Sequence, residues 1–185
     1  MEFIGTKIIN TERLTLRPLV VNDAYKAYEN WCSSDDVAKY VTWNKHTDVN
    51  FTLNLYTALV QDYEDPRTFR WIVEEKSTGD LVGMIDVSKK YLDYGTCGIG
   101  YCYGKKFWNK GYGTETLKAV IQFLFVDASA DVVCAEYLSN NPASGRVMEK
   151  AGMKYDGTLR SRVIDKDNIR NDLLCYSITK EEYFS

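Results

Sequence analysis

The sequence predicts one mixed α/β domain around a single sheet, and three observations carry that reading. Strand-like and helical patterns alternate along the whole chain, in the order strand, two helices, four strands interrupted by a helix, another helix, then two strands. No internal repeat, low-complexity stretch or flexible linker divides them, and 185 residues suit one domain, 1–185, with a sizeable core. A bend with two glycines two apart, within residues 107–115 (FWNKGYGTE), separates an apolar strand-like run from a helical pattern. Glycine lets the main chain turn tightly there. The free amides and dipole of the helix that follows then suit a phosphate.

The elements follow in order. Residues 13–17 (RLTLR) alternate as a half-buried strand does, and Pro18 ends the run. Asn22 or Asp23 can cap a helix running to about Trp31. A second helix is predicted over 49–63, with Phe51, Leu55, Ala58 and Leu59 on its buried stripe. The link between them, 32–48, is long enough to line a site and holds Tyr40, Trp43 and His46. Residues 68–75 and 81–88 read as a hairpin around a turn with Gly79 late in it. Residues 96–103 (TCGIGYCY) form a third strand, whose interior Gly98 and Gly100 mark a bulge or the close approach of another backbone or ligand. A helix over 114–125 and an apolar strand over 131–138 come next. Asn141-Pro142 then opens a helix ending near Gly152, with asparagine at the cap and proline at the first helical position. Residues 155–164 and 170–178 close the chain as a hairpin.

Composition narrows the function. A net charge of -3 argues against broad nucleic-acid binding, which needs a basic face, and is compatible with a cationic substrate. No apolar run approaches the roughly 20 residues that span a bilayer, so no membrane partner is expected. Residues 1–10 lack the features of a secretory signal, and a cytoplasmic location is the expectation. Five cysteines without a CxxC pair read as small buried hydrophobes with reduced thiols; neither a disulfide framework nor a metal site is expected. Fourteen tyrosines and four tryptophans suit packing and the walls of a cleft alike.

Three phosphate-binding patterns compete for the glycines. A P-loop fails, because Gly104-Lys105 is followed by Lys106 and position 99 is isoleucine. A dinucleotide fingerprint fails, because Gly98-Ile99-Gly100 reaches Gly104 one residue late and reads as strand. The third matches. Trp108-Asn109-Lys110-Gly111-Tyr112-Gly113, continuing to Thr114 and Glu115, resembles the pyrophosphate-binding motif of the GNAT acetyltransferase superfamily. Tryptophan in the first slot departs from the general pattern and is similar to the branch of ribosomal-protein N-terminal acetyltransferases. Residues 141–153 (NPASGRVMEKAGM), the first strand 11–17 (TERLTLR), and Asp172 with Tyr176 also look like that branch.

The resemblance implies a GNAT-like acyl-CoA N-acyltransferase fold. Its sheet would be mostly antiparallel and twisted, with a splayed parallel strand pair and about four flanking helices. It implies acetyl-coenzyme A (acetyl-CoA) as cosubstrate, an amine as acceptor (a small molecule or a peptide or protein N-terminus), and allows a homodimer. The amides near Lys110, Gly111, Tyr112, Gly113 and Thr114 would hold the pyrophosphate beside Trp108 and Asn109, and Lys105, Lys106 and Lys110 would add positive charge. Charge runs are also commonly just solvated loop. The pantetheine arm would lie between strands 96–103 and 131–138, bonding as a strand would to Ile99 and Tyr101. Asn141 and Ser144 would lie beside the arm and thioester, with helix capping and a solvated first turn as their competing uses.

The implied chemistry is direct acyl transfer to an amine, which must first lose its proton, since ammonium groups titrate at about 8 to 10. Glu136 is the leading base candidate and Asp86 the second. Ser144 is a candidate to protonate the departing thiolate. Many superfamily members place an acid tyrosine on the helix after the splayed strand; 147–151 holds none, leaving Tyr137 and Tyr155 as substitutes. A covalent route lacks support, because His46 is the one histidine, expected at the surface, and no cysteine has an evident base. Glu115 reads as favourable first-turn charge. Tyr40, Trp43 and Asn44 are the candidate acceptor wall, near the acids Asp35, Asp36 and Asp48. The alternative function is a non-catalytic acyl-CoA-binding module on the same fold.

Overall fold

The computed structural model describes residues 1–185. Eight strands form one sheet in the order β1-β2-β3-β4-β5-β6-β8-β7. They are β1 (Ile9–Asn10), β2 (Leu14–Arg17), β3 (Arg70–Glu75), β4 (Leu81–Ser88), β5 (Thr96–Tyr103), β6 (Val132–Leu138), β7 (Lys154–Ile164) and β8 (Arg170–Thr179). Every neighbouring pair is antiparallel except β5 and β6. That pair needs a crossover, which α4 (Tyr112–Val126) supplies.

Each predicted helix is present. The first, α1 (Asp23–Ala27), runs directly into a π turn, Tyr28–Cys32. Its expected cap is not made. Asn22 is helical with no side-chain cap, and Asp23 turns back to accept from Val20 N–H and pair with Arg17 at 2.8 Å. Two short helices escape the sequence pattern: α2 (Asp35–Ala38), capped by Ser34, and α6 (Lys180–Phe184), held by a Thr179–Glu182 capping box. Asp48 caps α3 (Val49–Gln61), accepting from the Asn50 N–H. The buried face of α3 also differs from expectation. Thr52 and Tyr56 are buried, with Leu53, Leu59 and Val60 partly so, while Phe51, Leu55 and Ala58 are exposed. Tyr56 is buried in the cluster with Trp31, Ile72 and Leu81, so tertiary packing chooses the face.

Two apolar cores lie on opposite faces. On one face α4 and α5 (Pro142–Lys150) cover 28 buried residues, including Trp71, Val82, Ile85, Ile99, Leu117, Leu124, Val133 and Met148. On the other face α1 to α3 cover a cluster of 10 around Trp31, Tyr56, Ile72, Leu81 and Cys102. α1 contacts β4, and the π turn after it contacts β4 and β5. No helix is long and apolar enough to cross a membrane.

Candidate active site

The glycine bend is a scaffolded turn. After β5, Lys105–Phe107 make one 3₁₀ turn, Asn109 takes φ 60°, and Gly111 takes φ 81° immediately before α4. That left-handed geometry favours glycine at 111, and asparagine tolerates it at 109. The first helical bond back is Glu115 N–H to the Gly111 carbonyl at 3.0 Å. The amides of Tyr112, Gly113 and Thr114 therefore have no partner four residues back, and they point out of the helix start. At Gly113 a Cβ would stand 3.3 Å from the Tyr103 ring and 3.4 Å from Val147, so the missing side chain lets α4, β5 and α5 close up.

Side chains around the bend face the scaffold. The Trp108 indole N–H donates to the Tyr103 carbonyl at 2.8 Å, and its ring meets Tyr40 edge-on at 6.0 Å. Glu115 accepts from Thr11 Oγ1 at 2.6 Å, from Arg13 N–H at 3.0 Å and from Arg13 Nε at 2.7 Å. Arg13 also donates to the Lys110 carbonyl at 3.0 Å and lies over the Tyr112 ring, whose hydroxyl donates to Glu75. Burial pulls the Glu115 carboxyl upward, but the bonds from Thr11 and Arg13 outweigh it and hold the group below its usual value. The Thr-Glu-Arg of the first strand and the Glu after the glycines are thus one cluster. Of the lysines, Lys105 pairs with Asp36 at 2.7 Å and Lys106 with Asp80 at 3.1 Å; Lys106 and Lys110 both lie over the Phe107 ring.

The strand gap is visible in the register. β5 and β6 pair from Thr96↔Val132 to Ile99↔Ala135 and then part, while β4 follows β5 to Tyr103 and β8 follows β6 to Leu138. Beyond Ile99, the β6-facing edge of β5 has no strand partner. Ile99 makes the last rung, and Tyr101 lies two residues beyond it on the unpaired edge. Across the mouth, the Tyr101 hydroxyl lies 2.7 Å from Ser144 Oγ, with Ser144 buried in the first turn of α5. Burial pushes the Tyr101 phenol up to about 12, against the bond from Ser144. Asn141 makes no capping bond, so capping does not occupy its side chain. Tyr137 packs under Gly145, where a Cβ would stand 2.6 Å from its hydroxyl.

The two candidate bases lie on one row across the sheet. Arg70 pairs with Asp86, Asp86 with Gly100, and Glu136 with Cys175. Had the parallel pairing continued one step past Ile99↔Ala135, Gly100 would face Glu136. Asp86 and Glu136 therefore stand on opposite banks of the gap, on the face away from α4. A Cβ at Gly100 would sit 3.1 Å from Asp86 Oδ1, so the glycine leaves an open slot beside that carboxylate. Burial holds the Asp86 carboxyl above its usual value, and the Arg70 charge opposes the shift.

The expected acceptor wall divides. Tyr40 is 38% exposed and sits against Trp108, Trp43 is half-buried 5.5 Å from the His46 ring, and Asn44 is exposed. None of the three is hydrogen-bonded to Asp86 or Glu136. His46 is buried instead of at the surface, with Nδ1 2.7 Å from Thr52 Oγ1, and burial lowers its proton affinity. Its ring is a packing unit between Trp43 and Phe51. All five cysteines are free, and burial raises each thiol, which leaves no activated sulfur. A groove of about 940 Å³ lies elsewhere, between the N-terminal segment and the outer face of α4. The residue missed from sequence is Arg70; its signal is register, which no local pattern carries.

Comparison with known proteins agrees with this architecture. The chain is 29% identical over 175 residues to the uncharacterized N-acetyltransferase YnaD of Bacillus subtilis, covering 95% of this chain and 98% of that protein. The crystal structure of a GNAT-family acetyltransferase from Bacillus anthracis superposes with a TM-score of 0.83 at 28% identity, covering 95% of this chain and 99% of that one. The microcin C7 self-immunity acetyltransferase MccE, solved with acetyl-CoA and AMP, shares the fold, with a TM-score of 0.80 at 17% identity over 91% of this chain and 93% of its own. The family model for the acetyltransferase (GNAT) domain matches residues 13–154. That span runs from the strand that anchors the bend to the start of β7, and the protein belongs to the GNAT acetyltransferase family.

Proposed function

We propose that the protein is an acetyl-CoA-dependent N-acetyltransferase that moves the acetyl group from the thioester to a primary amine by direct attack. The observation that carries the reading is the gap between β5 and β6, with the amide-rich start of α4 near one end and the Asp86–Gly100 slot facing Glu136 at the other. Acetyl-CoA, as bound by MccE, supplies an activated acyl group and a thiolate leaving group. The amides of Gly111, Tyr112, Gly113 and Thr114 hold its diphosphate, next to Asn109 and the Lys106 and Lys110 charges. The free edge of β5 at Ile99 and Tyr101 takes the arm, with Asn141 and Ser144 on the other bank.

Asp86 is the base of choice. Its carboxyl is partly buried, its proton affinity is raised, and the slot over Gly100 gives a reacting group access to it. Asp86 takes the ammonium proton of the acceptor, directly or through a water. Glu136 on the far bank attracts the acceptor's positive charge. The hydrogen-bonded Tyr101–Ser144 pair is placed to return a proton to the thiolate, the role expected of Ser144 and of a tyrosine that α5 lacks. The branch motifs support a peptide or protein N-terminus, or a small amine, as acceptor. Five neutral thiols suit the reducing cytoplasm.

Calorimetry with acetyl-CoA, followed by thiol release across a panel of amines and N-terminal peptides, tests the proposal. Micromolar binding together with amine-dependent thiol release is the expected result. Binding without turnover on any amine would assign the chain to the acyl-CoA-binding module class, and no binding at all would remove the reading.

A further inference from the structure

Arg70 stands on β3 directly opposite Asp86, on the side away from the gap. Its side chain is 15% exposed, and Nη1 is clamped by Asp62 at 2.9 Å and by the Leu59 carbonyl at 3.4 Å, both at the end of α3. Nε is buried without a hydrogen-bond partner and lies 3.7 Å from Asp86 Oδ2. The Arg70 carbonyl accepts from the Tyr63 hydroxyl and its N–H donates to Thr6 Oγ1, which pins the main chain on both sides. A largely buried guanidinium anchored through Nη1, with its Nε–H 3.7 Å from a carboxylate oxygen and so beyond hydrogen-bond range, sets a field without taking the carboxylate's proton-accepting oxygen.

We propose that Arg70 is a positioning residue that tunes the proton affinity of Asp86, with Asp62 as the counter-charge that moderates it. The inference rests on the assignment of Asp86 as base. The groups acting on Asp86 are Arg70 on β3 and the neutral Cys102 thiol on β5; Asp62 pairs with Arg70 from behind, and Glu136 stands on β6 one residue past the last rung of the β5–β6 pairing. Burial alone would carry Asp86 upward, and the Arg70 charge draws it part of the way back. A base so adjusted binds a proton more readily than a solvated carboxylate, while the Arg70 charge opposes the rise.

The test is a carboxyl carbon-13 NMR titration of the full chain labelled at aspartate, with Asp86 assigned through Asp86→Asn. Arg70→Gln raises the Asp86 midpoint by about one pH unit, since an opposite charge at this range is worth that much. Asp62→Asn lowers it by roughly a few tenths of a unit, because Arg70 then acts unopposed. Arg70→Lys, which keeps the charge, leaves the midpoint near its native position. The acid limb of kcat/KM follows the same order. Opposite displacements in Arg70→Gln and Asp62→Asn are not a consequence of loosened packing, and Asp62→Asn keeps the guanidinium should Arg70→Gln fail to fold. Unmoved midpoints, or displacements of one sign, in variants of an enzyme that Asp86→Asn disables would overturn the inference alone. Undiminished turnover in Asp86→Asn would overturn the base assignment beneath it.

Discussion

The two ends of the gap between β5 and β6 are built from different materials. At the α4 end the groups offered to a ligand belong to the main chain, and the side chains face the scaffold: Trp108 on the Tyr103 carbonyl, Glu115 on Thr11 and Arg13, Tyr112 on Glu75. At the mouth the groups offered are side chains: Asp86 and Glu136 on the face away from α4, and the Tyr101–Ser144 pair on the α4 and α5 face. One contiguous stretch specifies the grip, and many small contacts support it. The chemistry proposed at the mouth depends on register, so single side chains should carry large effects there and modest ones at the bend.

The largest effect should separate the two banks of the mouth. Asp86→Asn lowers kcat about 10²- to 10⁴-fold, the usual worth of a positioned base, with acetyl-CoA affinity held. Glu136→Gln raises KM for the acceptor and lowers kcat less than about tenfold, as loss of charge attraction without loss of the base requires. Steady-state kinetics on both variants decides this, and the reverse ranking would exchange the two roles.

At the bend the losses are smaller and fall on binding. Gly111→Ala forces an L side chain into φ 81°, with the new Cβ 3.4 Å from Arg13 Nη2. The backbone cost of about 1–2 kcal/mol weakens acetyl-CoA binding roughly tenfold by calorimetry, and kcat at saturation is kept. Glu115→Ala removes the acceptor of the bonds from Thr11 and Arg13 and so costs about 1–2 kcal/mol of stability in denaturant unfolding, discounted for the 43% exposure of Arg13. Its effect on affinity is less than that of Gly111→Ala, because the amides remain.

The same contrast explains what the sequence discloses. The bend is legible because glycine, helix start and motif are neighbours in the chain, and the order of strands and helices follows from local periodicity and turn residues. The face of α3 is not legible in that way. Phe51, Leu55 and Ala58 make a regular stripe, but the helix buries Tyr56 and Thr52, since the partner surface and not the period chooses the face. His46 reads as a surface residue until the 32–48 segment folds over and Thr52 meets it. Both acids at the mouth can be picked as candidates by strand position. That Arg70 backs one of them, and that the pair straddles a gap, follows only once Ile99↔Ala135 is known to be the last rung.

The smallest predicted effect sharpens the comparison, because at the mouth function and stability should pull apart. The folded-state affinity of Asp86 for its proton is raised, with burial as the leading cause. The folded protein therefore binds that proton more readily than the unfolded chain does. The stabilisation linked to this group is complete below the unfolded-state pKa and is lost as pH rises through the folded-state value. Asp86→Asn, which has no proton to lose, should therefore melt slightly above the native protein at pH 7. The difference should shrink toward zero near pH 3, where both side chains are neutral. Glu115 has the opposite sign: its carboxyl is held low in the fold, so its contribution is present at neutral pH and disappears as acid protonates it. Melting curves of Asp86→Asn and Glu115→Ala across this range should diverge at pH 7 and converge in acid. A lower melting point for Asp86→Asn at pH 7 would mean that the ion pair with Arg70 outweighs burial at this site.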